Sequence, residues 1–170
     1  MENLLIDLDR EIASTRRLLE RYPAGKGEWQ PHAKSRTLSA LATHVANIPN
    51  HGASILTTAD MDVVTRQPQP PKDSATQLLE AFDSGVTRLK SAIADIDVAK
   101  LRENWIMRAS PRVLVSESRA MLMRLMVINH LVHHRAQRGL YLRLLNVPIP
   151  GMYGPNLSDS TVMCVACRAQ

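Results

Sequence analysis

Residues 116–145 read SESRAMLMRLMVINHLVHHRAQRGLYLRLL, and no proline interrupts them. Leu, Met, Ala and Arg, all good helix formers, fill most of the stretch. Met123, Val127, His130, His134, Gln137, Tyr141 and Leu144 recur in steps of four and three. That spacing keeps them on one face of a helix running from about Ser116 to Leu145. The members above and below the histidines are apolar, so the stripe is predicted to face a core. The helix must stop at NVPIPGMYGP, where prolines and glycines follow one another.

Working outward, three further segments carry helical periodicity. Leu5, Leu8, Ile12, Leu18 and Leu19 form an apolar stripe between Glu2 and Arg21, which ends at YPAGKG. Leu38, Leu41, His44, Val45, Ile48 and Ile55 share a second helix, capped by Ser35 or Thr37. Pro49 lies inside it and predicts a kink or an early break. The linker TRQPQPPKDS leads to a third helix, Ala75–Ile96, with Asp73 or Ser74 as its cap. DVAKLRENWIMRASPR then reads as an irregular crossover, with Trp105 sealing one end. Four amphipathic helices with long connections predict an all-α protein, an antiparallel four-helix bundle in a single domain spanning 1–170.

The chemistry sits in the histidines. Two histidines one turn apart on an inward face are costly unless something satisfies their nitrogens. A pair at i and i+4, His130 and His134, can point both imidazoles at one ion. The third ligand must come from another helix, and His44 is the best placed. It follows Leu41 by three residues on an apolar face. His51 stands about two turns further on but lies beyond Pro49. His133 is turned about 100° away from His134, toward solvent, a partner chain or an outer hydrogen-bond acceptor. His32 lies in a loop. Neutral imidazole suits zinc, nickel, copper or ferrous iron, and three ligands leave a coordination position open, as catalytic zinc sites do.

Several classes of function lack their residues. No carboxylate lies between Glu117 and Asp159, which excludes the Glu-x-x-His pairs of di-iron bundles on this helix. HExxH and serine or cysteine nucleophile signatures are also missing. The formal charge is +5, but the basic residues are dispersed and do not alternate with aromatics, so nucleic-acid binding is not expected. No apolar run is long enough to span a membrane, and the N-terminus has no secretory pattern. A cytoplasmic protein is expected. Cys164 and Cys167 form a lone CxxC, without the second pair of a structural zinc site. They fall in residues 159–170, read as a loose tail.

NHLVHHRAQRGLYLRLLNVPIPGMYGP and WQPHAKSRTLSALATHVANIP together resemble the DinB family of damage-inducible, metal-binding four-helix proteins. The first stretch resembles the family's last helix, with an HxxxH pair, a Tyr-Leu-Arg stretch and a Val-Pro-x-Pro turn. The second is similar to its Trp-Pro block and helix-two histidine. The resemblance covers about residues 1–158 and places the family's metal triad on His44, His130 and His134. It implies an up-down-down-up helix order and a homodimer. It also implies a divalent ion, zinc or nickel first and iron next. Relatives include S-transferases that conjugate a low-molecular-weight thiol to an electrophile, and a thiol-dependent isomerase. On that implication, Arg135 and Arg138 are candidates to hold an anionic part of the thiol. The competing expectation is a non-catalytic metal-binding stress protein. Arg135, Ala136 and Gln137 stand where the family often carries Arg-Gly-Gln.

Overall fold

The computed structural model describes residues 2–67 and 69–154, with side chains from Leu5 onward. Four helices build the body. Helix α1 spans Glu2–Leu19, α2 Leu38–Thr57 and α3 Ala75–Asp95. Helix α4 starts at Arg119–Leu122, passes through a π-helical stretch, Met123–Asn129, and continues as His130–Leu144. The starts of α2, α3 and α4 each have a side-chain acceptor for an otherwise unpaired amide. Thr37 Oγ1 accepts from Ala40 N at 3.2 Å, Ser74 Oγ from Gln77 N at 3.2 Å, and Ser118 Oγ from Met121 N at 3.3 Å. Just past the end of α4, Asn146 has a φ of 58°, the left-handed turn that lets Val147 N reach back to Leu142 O.

Cross-helix pairs fix the directions. Asp9 meets Lys90 and Arg16 meets Asp83, so α1 and α3 are antiparallel. Asp7 meets Arg124 and Glu11 meets Arg135, so α1 and α4 are parallel. Asn50 lies by Gly85, and Thr43 Oγ1 accepts from Lys72 N near the start of α3, so α2 and α3 run the same way. Arg36 O accepts from Tyr141 while His44 faces His130, so α4 returns antiparallel to α2. The order is up-down-down-up.

The expectation of an all-α protein is wrong. A three-stranded sheet, ordered β1-β2-β3, caps one end of the bundle. Strand β1 is Asp60–Asp62, β2 is Asn104–Ala109 and β3 is Arg112–Ser118. β1 pairs parallel with β2, and β2 antiparallel with β3. The supposed crossover is therefore a short 3₁₀ turn, Val98–Arg102, followed by a hairpin, and residues 116–118 belong to a strand rather than to the last helix. The hairpin is held to the bundle by Trp105, which is wholly buried and donates to Thr58 Oγ1 at 3.1 Å. Arg119 locks the junction by donating to the carbonyls of Ile55 and Thr58.

Pro49 neither breaks nor ends α2, which continues to Thr57. Gly85 of α3 lies opposite, where a Cβ would come within 3.0 Å of Asn50 N. The core joins Leu8, Leu18, Leu41, Ile55, Phe82 and Leu131 with residues of every helix. Among the described residues, no helix is long and apolar enough to cross a membrane.

Candidate metal centre

Helix α2 carries His44 between the buried Thr43 and Val45, beside the line of Leu41 and Ile48. Helix α4 carries His130 as the first residue after its π-helical stretch and His134 one turn later. Antiparallel packing of the two helices brings the rings together. His44 Nε2 lies 3.1 Å from His130 Nε2. Ring centroids are 4.9 Å apart for His44 and His130, 4.5 Å for His44 and His134, and 4.5 Å for His130 and His134. One nitrogen from each of the three lies within 4.8 Å of the others, a group that can hold a metal ion. Two imidazole nitrogens sharing one tetrahedral zinc at about 2.0–2.1 Å would lie about 3.3–3.4 Å apart. The donor set and spacing fit a divalent ion.

Neighbours fix which nitrogen is free. His130 Nδ1 lies 3.3 Å from the carbonyl of Met126, and His134 Nδ1 lies 2.7 Å from Gln137 Oε1. Both oxygens accept, so each Nδ1 carries the proton and each Nε2 keeps its lone pair. The π-helical stretch contributes directly. His130 N–H bonds to Val127 O, and the Met126 carbonyl takes the imidazole proton instead. Such π turns occur often at functional sites.

The electrostatics favour the ligand form. Burial, and then the neighbouring His134 and His130, push the His44 imidazole down to about 3. His130 and His134 also lie below the ordinary histidine value, with burial the first cause in both. Neutral imidazole is the form a metal binds. All three rings are half-buried rather than enclosed.

That exposure corrects the predicted stripe in part, since Met123, Val127 and Tyr141 are buried as expected and Gln137 and Leu144 are not. The inward face of α4 carries Leu131, Arg135, Arg138 and Leu142, all buried, while Leu144 is 55% exposed. Leu131 lies about 100° round the helix from His130, so the histidines sit at the margin of the core face. Arg135 and Arg138 are not at the triad. Arg135 pairs with Glu11 and donates to Tyr153 Oη at 2.6 Å. Arg138 is wholly buried, donates to Leu18 O at the end of α1, and lies 5.9 Å from the centre of the Tyr22 ring. Two arginines that spacing did not single out, Arg36 and Arg66, line hollows beside His44 instead. Each stands in a segment without periodicity, so nothing in the sequence told which way it would face.

His51 does not join the triad. It stands edge-on to Trp105, with centroids 5.9 Å apart, and lines a hollow with His44 and His130. Its Nδ1 has no partner among the described residues, and burial lowers the ring to about 4. His133 is exposed, with its ring 4.7 Å from that of His134, and the exposed His32 accepts from Lys34 N in a loop. Cys164 and Cys167 lie outside the described residues.

The sequence profile of the DinB family matches residues 4–168, nearly the whole chain. The chain belongs to the DinB family. Solved structures agree on the fold. A DinB-like protein from Bacillus subtilis superimposes with a TM-score of 0.67 at 14% identity, covering 88% of this chain and 97% of its own. Another, from Bacillus cereus, gives 0.68 at 18% identity, covering 90% and 97%. No curated protein matches.

Proposed function

We propose that this DinB protein is a divalent-metal-dependent S-transferase that joins a low-molecular-weight thiol to a small electrophile. The observation that carries the reading is a convergent, all-imidazole triad that opens onto two hollows lined by no carboxylate among the described residues. A divalent ion of the zinc, nickel or ferrous class, bound there, supplies the Lewis acidity that makes a thiol a thiolate at neutral pH. A neighbouring carboxylate base is then unnecessary. His44, His130 and His134 hold the ion, Met126 and Gln137 orient two of the rings, and the half-open rim admits substrate. In the conjugation the thiol sulfur forms a bond to the acceptor carbon. The leaving group departs with the bonding pair, and the thiol proton passes to solvent. A purely structural ion is better served by four protein ligands in a closed site.

The test combines elemental analysis with conjugation. Zinc- or nickel-loaded protein, incubated with glutathione, bacillithiol or mycothiol and a chlorinated acceptor, is expected to form conjugate with at least one thiol. One ion per chain is expected, and both ion and product should be lost in His130→Ala. Full loading without conjugate from any of the three thiols would favour a non-catalytic metal protein.

A further inference from the structure

Two hollows meet at the triad, and their walls differ in kind. The larger, of about 370 Å³, is the more polar, with Arg36, Thr43, Asn47, Arg66, Gln67 and Gln69 along it. The smaller, of about 210 Å³, is walled by the thioethers of Met61, Met107 and Met126 together with Ile48. His44, Asn47, Val63 and Arg66 belong to both, so the two form one groove with the first imidazole at its waist. His130 faces the methionine side. Small-ligand sites hold roughly 300–1,000 Å³, so the groove suits two small molecules rather than a macromolecule.

Charge distinguishes the polar half. Among the described residues Arg16, Arg108, Arg124 and Arg135 pair with a carboxylate and the other arginines do not. Arg36 and Arg66 pair with none among the described residues, although both are exposed and flank the same hollow. The guanidinium of Arg66 donates to the Met61 sulfur, at 3.9 Å. No Asp or Glu lines either half among the described residues. Two uncompensated guanidiniums, with side-chain amides lining the same hollow, are the groups that recognise a carboxylate. The methionine half offers soft, adaptable, apolar contact, with the imidazoles of His44, His51 and His130 on its wall and Asn47 and Arg66 where it joins the polar half.

We propose that the groove sorts two substrates: Arg36 and Arg66 bind the carboxylate of a carboxylate-bearing thiol, and the methionine half receives an apolar acceptor. This rests on the S-transfer reading above and adds which thiols and acceptors the site selects. The sulfur of such a thiol then reaches the triad from the polar side, and the acceptor reaches it from the other.

Cobalt-substituted protein separates the two readings, because thiolate ligation to cobalt gives a charge-transfer band. Glutathione, which has carboxylates, is titrated against 2-mercaptoethanol, which has none. The Arg36→Gln/Arg66→Gln double variant is expected to bind cobalt normally and to weaken glutathione about tenfold, leaving 2-mercaptoethanol unchanged. Met107→Ser is expected to raise the KM for an apolar chlorinated acceptor several-fold with the glutathione Kd unchanged. Bands with both thiols but an equal response to the arginine substitutions would overturn the carboxylate assignment alone. An unchanged acceptor KM in Met107→Ser would overturn the acceptor assignment. Cobalt uptake without a band from either thiol would overturn the S-transfer reading, and this proposal with it.

Discussion

A histidine serves a metal only through a nitrogen that keeps its lone pair, and in this chain two residues of α4 decide which nitrogen that is. Gln137 Oε1, 2.7 Å from His134 Nδ1, sets one tautomer, and the Met126 carbonyl sets the other. Outer partners of this kind are worth about 10–100-fold in metal affinity. Gln137→Ala should therefore weaken the ion by that order, measured by competition with a chromophoric chelator. Gln137→Glu, which keeps the acceptor, should bind at least as tightly as wild type. Equal affinity in all three proteins would show that the contact does not orient the ring. The three converging histidines were legible because spacing on α4 and an apolar setting on α2 both point to a shared centre. The positions of Arg135 and Arg138 were not. Arg138 lies one turn past His134, yet a wholly buried guanidinium must find an acceptor, and it turns to Leu18 O at the end of α1, which also accepts from Arg21 N. Such a demand arises between elements far apart in the chain, and local spacing does not contain it.

Helices α2, α3 and α4 approach closely at Gly52. A Cβ placed there would lie 2.9 Å from Val127 Cγ2 and 3.1 Å from Leu89 Cδ1. Alanine gains about 1 kcal/mol in helix propensity over glycine, but overpacking a tight core costs about 1–3 kcal/mol. Both neighbours are fully buried, so overpacking should win. Gly52→Ala is expected to lower the urea midpoint, by about 1 kcal/mol in stability once the two terms are combined. A raised midpoint would mean that Val127 can yield. Long helices with a clear apolar stripe could be read from sequence, whereas the strands and the π-helical stretch could not. β1 has three residues, too few to show alternation, and a bulge between Met107 and Arg108 disturbs the period of β2 and β3. In Met123–Asn129 apolar side chains stand at nearly every position, so a wider turn leaves no trace in the pattern.

Over the whole molecule, two histidines are held far below their unfolded value. Unfolded histidine titrates near 6.5, while His44 is lowered to about 3 and His51 to about 4. Between those limits the unfolded chain binds more protons than the folded one, so stability falls as pH falls. The contribution is complete above pH 6.5 and is lost progressively toward pH 4 and then 3. Chelated protein should show a falling urea midpoint from pH 6.5 to 5, before most carboxylates titrate. The slope should stay below about 1.4 kcal/mol per pH unit for each histidine, because both rings retain some solvent contact. A level midpoint across that interval would contradict the burial of these rings. The parallel course of α2 and α3 has a different consequence. A chain that leaves one end of a rod and must begin the next at the opposite end has to carry a return strap along the outside. That strap, residues 58–74, supplies Met61, Val63, Arg66, Gln67 and Gln69 to the groove, while the imidazoles come from the rods themselves. Hub and fittings are thus separately editable: exchanging the strap would retune what is admitted and leave the three nitrogens where they stand.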